Sequence, residues 1–377
     1  MSDLREKMYM VLRIAMLGLC YALAGAAIGV PPEPDWACFR GGPEMTAAVH
    51  FRFTDSPRLL WTYETGSSIE STAAIVGGTV YVGTMTNALL ALRITDGTLK
   101  WKFLAGDAIS ASPCVVGNTV YIGDEGGAFY AVNATTGRQL WKFATSDKIM
   151  SSATATTGAV LVGSYDNYLY KLDADTGAEI WSFKSDAQVH CSPCVVSGVA
   201  VIAGCDGMVR MIDLRTGRQK ASADIGANFA ASPAYGSGSV FVGSMGGEYA
   251  SVRLSDGKIL WQAVVRKNGG ATYASAAVLD DAVIFASRNH TVFRLDRATG
   301  STKWVFAAGD AVDSSPVIAG NRVFFGCDDG NIYAVDLTSG QKVWQFSAGA
   351  AITASPAVGH GRLVIGSTDG AIYCFGR

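Results

Sequence analysis

Seven tryptophans at a near-fixed interval constrain this chain more than any other feature. They fall at Trp61, Trp101, Trp141, Trp181, Trp261, Trp304 and Trp344, and Ala221 fills the same slot between the fourth and the fifth. The step is 40 residues throughout, except from 261 to 304, where it is 43. A glycine stands four residues ahead of most slots, at Gly97, Gly137, Gly177, Gly217, Gly257, Gly300 and Gly340. Eleven residues after the slot comes a hydroxyl residue, usually followed by proline, as in Ser112-Pro113, Ser192-Pro193, Ser232-Pro233, Ser315-Pro316 and Ser355-Pro356. Periods of roughly 20–50 residues mark architectures whose units bury their apolar faces only by stacking on their neighbours.

Inside each repeat the apolar period is two. Thr119-Val-Tyr-Ile-Gly, Gly127-Ala-Phe-Tyr-Ala-Val and Gln139-Leu-Trp-Lys-Phe are short β-branched and aromatic runs between turn residues, the pattern of half-buried strands. No helical stripe of ten residues occurs beyond residue 30. Each repeat therefore predicts four antiparallel strands: A over the Ser-Pro run, B and C over the next two apolar runs, and D carrying the tryptophan. Four strands in roughly 40–50 residues is a propeller blade. The C-terminal residues supply A, B and C with no D, while Leu59-Leu-Trp61-Thr-Tyr is a D strand with nothing before it. Their pairing predicts an all-β, eight-bladed propeller over 59–377, closed by an N-terminal outer strand on the C-terminal blade, which removes the open edges of a linear array. Each tryptophan is expected to wedge between neighbouring sheets. Ala221 removes one wedge, so the junction of blades 4 and 5 is expected to be the loosest.

Ahead of the repeats lie two other segments. Residues 1–27 have a charged start with Arg5 and Lys7, an apolar stretch and small residues at Ala22, Ala24, Ala26 and Ala27. That reads as an export signal or as an uncleaved anchor, and either predicts a periplasmic location or membrane attachment facing the periplasm. Acylation at Cys20 is disfavoured, because Leu17-Gly18-Leu19 puts leucine where a small residue is needed. Residues 28–58 form a lead-in whose Trp36 is out of the repeat register, and it is expected to lie across one propeller face and plug it. The net charge of −2 and the absence of basic runs in the repeats exclude an electrostatic footprint for nucleic acid. Of eight cysteines, Cys114 and Cys194 share one repeat position and read as small hydrophobes. Cys191-Ser-Pro-Cys194 has the spacing of a redox motif but lacks the helix N-terminus that activates a thiol.

On the Gly-x-x-x-Trp spacing, the Ser-Ser/Ala-Pro runs and the lead-in Asp35-Trp-Ala-Cys-Phe-Arg-Gly-Gly-Pro, residues 59–377 resemble the PQQ-like eight-bladed propellers, most closely the exported, non-catalytic BamB-like proteins of outer-membrane assembly. That resemblance implies a monomeric scaffold that binds a protein partner in the cell envelope, with no cofactor or metal. A second branch of the family holds the quinoprotein alcohol and glucose dehydrogenases, which bind PQQ and Ca2+, and its enzymes carry adjacent cysteines over the cofactor. No Cys-Cys pair occurs here, and the chain lacks the long inserted loops of those enzymes. A ligand-binding sensor is the third alternative.

Strand order brings the D–A and B–C loops to one face. The D–A loops carry Asp107, Asp147, Lys148, Asp186, His190, Asn228, Asp310 and Asp313. The B–C loops carry Asn87, Asp124, Glu125, Tyr165, Asp166, Asp206, Arg288, Asn289, His290, Asp328, Asp329 and Asp369. Most of the aspartates stand where turns ordinarily want them. Asp124, Glu125, Asp166 and Asp328 are nonetheless candidate contacts within an acidic face. Arg266, Lys267, Arg288 and His290 break the repeat pattern and form a candidate basic sector in blade 6. No His-x-His or similar pattern points to a metal.

Overall fold

In the second repeat, Cys114–Val116, Thr119–Gly123, Ala128–Asn133 and Gln139–Ala144 pair antiparallel in chain order. The computed structural model describes residues 34–51, 53–54, 56–265 and 270–377; the expected signal or anchor, with Cys20, lies outside them. Eight such sheets recur. The eighth takes its outer strand, Arg58–Glu64, from the start of the chain and sets it antiparallel on Ala371–Gly376. The inner strands touch in a closed cycle, with Ala74–Val76 of blade 1 meeting Ala357–Gly359 of blade 8. The chain is an eight-bladed propeller of four-stranded antiparallel blades. Among the described residues no helix is long and apolar enough to cross a membrane.

A bulge in each outer strand aims the tryptophan. In blade 2, Gln139 faces Val132 but Trp141 faces Ala131, so Leu140 is an extra residue. An inserted residue bends the strand and re-aims the side chain after it: Leu140 points outward, 52% exposed, and the indole turns toward the next blade. There Trp141 Nε1 donates to the Ala174 carbonyl at 3.0 Å, and the ring lies against Gly177, whose φ is 72°. A Cβ on Gly177 would stand 2.6 Å from the ring.

The Ser-Pro run is not part of strand A, which begins only after the proline. Proline has no N–H for a ladder, and the serine before it bonds sideways between blades. Ser112 N–H donates to Ser152 Oγ, Ser152 N–H to Ser192 Oγ and Ser192 N–H to Ser232 Oγ, each at 2.9 Å. The same bond continues from Ser232 to Ser275, Ser315 and Ser355, and Thr72 N–H enters the series at Ser112. These hydroxyls form a belt around the axis.

The lead-in is built into the propeller, and Asp35–Arg377 form one compact unit. Inner strands would present an open edge to the channel, and buried backbone groups need partners. Residues 36–49 supply them. Trp36 exchanges two 2.8 Å bonds with Ile75 of blade 1. Carbonyls of Ala37, Pro43, Glu44, Thr46 and Ala47 then accept from Val115, Val195, Tyr235, Val278 and Ile318 of blades 2, 4, 5, 6 and 7. Ala48–Val49 adds a parallel fifth strand to blade 7. Arg40, 1% exposed, donates to the Ala276 and Pro316 carbonyls at 2.9 and 2.5 Å. Burial without a counter-ion brings its pKa down to about 9.

Two glycines separate backbone strain from ring contact. Gly158 has φ 69° and open space around it, so Gly158→Ala should cost only the left-handed penalty, about 1–2 kcal/mol. Gly177→Ala should cost about 1–3 kcal/mol more, because its Cβ collides with Trp141; equal losses in urea unfolding would remove the ring from the account. Ser152→Ala should leave the Ser112 N–H buried and unpaired, a loss of about 1–3 kcal/mol. Ser152→Thr keeps the oxygen and should restore most of it.

Candidate functional site

Two rings of side chains line the open mouth of the channel, both set by the D–A loops. The lower ring is the hydroxyl belt. The upper ring lies two residues earlier in each repeat, where the sequence stops repeating. It holds Glu70 and Asp313 as acids, His190 and Tyr273 as large polar rings, Ser110 and Thr353 as hydroxyls, and Met150 and Ala230 as apolar members. The cup between them encloses about 380 Å³, and Phe39 of the lead-in lines it as well. Crossing loops are seated by apolar residues against glycines ending strand B: a Cβ on Gly123 would stand 2.2 Å from Ile149 Cγ2.

On one side, His190, Tyr165 and Lys148 interlock. Tyr165 Oη lies 2.7 Å from His190 Nδ1, and Lys148 Nζ stands 4.6 Å over the Tyr165 ring. Burial first, then the Lys148 charge, hold the His190 imidazole below its usual pKa. Burial foremost pushes Tyr165 up to about 12, so phenol and imidazole meet as two neutral groups. Across the cup, Arg288 grips Asp313 with Nε at 2.8 and 3.1 Å and Nη2 at 2.6 Å, and its guanidinium lies 4.3 Å from the Tyr273 ring centroid.

Two carboxyls at this face carry unrelieved charge. Glu70 is raised above the usual carboxylate range by lost hydration and then by the Glu125 carboxylate. Asp328 is raised by burial and then by Asp313, with Arg288 opposing. Its Oδ1 is buried without a hydrogen-bond partner.

The other expected contacts divide. Asp124 is 1% exposed and ties its own loops, accepting from Ala128 N, Tyr130 Oη and Gly106 N at 2.8, 2.9 and 3.1 Å. Asp166 does the same for Tyr170 Oη and Ser146 N at 2.8 and 3.0 Å. Arg288 is neutralised by Asp313, and His290 Nε2 lies 3.5 Å from Asp310. Arg266 and Lys267 lie outside the described residues. Glu70 and Tyr273 escape a search for charged loops, although a column that varies while its neighbours repeat would reveal both. Cys191 Sγ turns to the Ala231 carbonyl at 3.0 Å and Cys194 Sγ to Glu44 at 3.4 Å. Burial raises both thiols, which disfavours the reactive thiolate.

Calcium takes six to eight oxygen ligands, and among the described residues no three His, Cys, Asp or Glu side chains come together to hold a metal ion. Adjacent cysteines, the other mark of the quinoprotein branch, do not occur in the chain.

The family model described as outer membrane protein assembly factor BamB matches residues 52–157, 136–276 and 205–377. No curated protein matches the chain. Among solved structures, BamB from Moraxella catarrhalis superposes with a TM-score of 0.75 at 19% identity, covering 85% of this chain and 98% of that one. A quinohemoprotein alcohol dehydrogenase from Comamonas testosteroni gives 0.78 at 14% identity, covering 91% and 80%. A europium-containing methanol dehydrogenase gives 0.80 at 13%, covering 91% and 98%. Identities this low carry the fold alone.

The raised carboxyls make a pH prediction. The unfolded chain releases these protons first, at about pH 4, so their contribution to stability is full below that pH and is lost as pH rises through the higher folded values. Glu70→Gln and Asp328→Asn should therefore raise the melting temperature at pH 7 and leave it unchanged at pH 3. A lower melting temperature at pH 7 would show that these carboxylates hold the fold together.

Proposed function

Because this chain belongs to the PQQ-like repeat family whose model is described as outer membrane protein assembly factor BamB, we propose that it is an exported, non-enzymatic propeller that holds a partner protein of the cell envelope at its channel mouth. One observation carries this reading: the upper ring is a column that varies from blade to blade directly above a belt that repeats. Positions that only close the propeller are uniform, so the departure at Glu70, His190, Tyr273 and Asp313 marks a surface shaped for something other than folding. Function resides in sites grafted on such folds.

A cup of about 380 Å³ is of a size to take a loop tip or an extended segment. The raised carboxyls at this face, Glu70 in the cup with Glu125 acting on it and Asp328 with Asp313 acting on it, favour a partner residue that brings a positive charge, and charge complementarity of this kind sets orientation and on-rate. The reading needs no cofactor, metal or nucleic acid. It keeps the chain as a single propeller on the periplasmic side, with any membrane attachment made through residues 1–27.

Deletion of the gene should lower the amounts of outer-membrane β-barrel proteins, and the wild-type chain should restore them. A Glu70→Lys/Asp328→Lys chain, shown by circular dichroism to be folded, should not. Full restoration by that chain would remove the mouth from the function, and unchanged barrel levels on deletion would remove the assembly role. A rise in melting temperature with PQQ and Ca2+, accompanied by alcohol oxidation, would replace the scaffold with a quinoprotein enzyme.

A further inference from the structure

Six of the eight junctions between blades are closed by an indole whose N–H reaches a carbonyl of the next blade. Trp61 donates to Ile94, Trp101 to Ala134 and Trp181 to Leu214, at 2.8, 2.9 and 3.1 Å; Trp141, Trp261 and Trp304 do likewise. Trp344 packs edge-on to Phe375 at 5.5 Å, since no C–D turn joins the outer strand of blade 8 to its neighbour. The remaining junction, between blades 4 and 5, has Ala221 in the slot.

That junction has closed at one end and not at the other. Gly257 rests on the strand itself, where its Cβ would stand 2.6 Å from the Ser222 carbonyl oxygen. Further in, a cavity of about 570 Å³ opens between Val199, Met211 and Lys220 of blade 4 and Arg253, Leu254 and Leu260 of blade 5, with serines of the turns between them; the two cations lie along its wall, where they can face the π-surface of a ring. Leu254 holds the position whose carbonyl takes the indole N–H at the six closed junctions. Blade 4 lacks the wall aromatic too: Val201 stands where Tyr81, Tyr121 and Phe241 lie 5.8, 5.8 and 5.9 Å from their tryptophans. Leu260, 44% exposed at the opening, and the soft Met211 side chain offer adaptable apolar contact.

We propose that this slot binds an indole ring presented as a tryptophan side chain of a partner protein. The volume lies within the roughly 300–1,000 Å³ of small-ligand sites. The ligand chemistry is written six times in the same molecule: apolar walls from two sheets and one carbonyl aimed at an N–H. A ring lost from the chain can be returned from outside it, and tryptophan is the side chain that anchors interfaces most strongly. The slot is lined by the A–B and C–D turns, at the opposite end of the blades from the D–A and B–C loops of the mouth, so both sites can be engaged at once.

The test titrates the full chain with N-acetyl-5-fluorotryptophan amide and follows the fluorine resonance. Saturable binding at one site with a Kd on the order of 1 mM or tighter is expected, undisturbed by N-acetylalanine amide. Ala221→Trp should fill the slot from within, weaken the probe at least tenfold and melt above wild type. Ala221→Leu serves in the same way if the larger side chain prevents folding. Absence of saturation, or undiminished binding to the filled variants, overturns the proposal. Free indole that displaces the probe at far lower concentration than the amide itself would assign the slot to a small aromatic metabolite instead.

Discussion

An indole caught between two sheets is the contact on which the propeller depends. Burial of a ring this size removes a large apolar surface from water, but the ring can enter only because three other features agree with it. The bulge before Trp141 turns the side chain out of its own sheet. A glycine in the left-handed region lets the next blade lie flat on the ring. A turn carbonyl receives the N–H. None of the three has a reason to exist without the others, and their common spacing keeps the blades in register.

Closer to the axis the load passes to hydroxyls. The belt from Thr72 to Ser355 links blade to blade through main-chain N–H groups, and the lead-in bonds to the inner strands of six blades. With closure handled by these uniform positions, the side chains two residues above are free of packing duty. Glu70 in that ring, and Asp328 in a B–C loop beside Asp313, are held at a cost in stability, as happens where a position answers to something other than folding.

Repeat, strand order, closure and the wedge role of the tryptophans were legible because each rests on a local signal repeated eight times over. The mouth was legible only in part. That Asp124 and Asp166 accept hydrogen bonds from their own loops was not legible, because a carboxylate near a turn carries no mark of which way it faces. Glu70 and Tyr273 were missed because they stand alone in their copies, with no motif around them. The Ser-Pro run was placed inside strand A because its apolar neighbours mask where the ladder begins; only the sideways bond from serine to serine moves that boundary. The reach of residues 36–49 around six blades depends on contacts between residues far apart in the chain, which no local pattern records.

The order of assembly is dictated by those same long-range bonds. Ala37 and Ala47 take their hydrogen bonds from blades 2 and 7, and Arg58–Glu64 is paired with Ala371–Gly376. During synthesis the leading residues therefore wait exposed until the trailing ones arrive. Loop closure over such separations is slow, and a waiting strand edge recruits the wrong partner. The ring thus makes its own chain a client of whatever guards unfolded protein along the route, for as long as the final strand has yet to emerge.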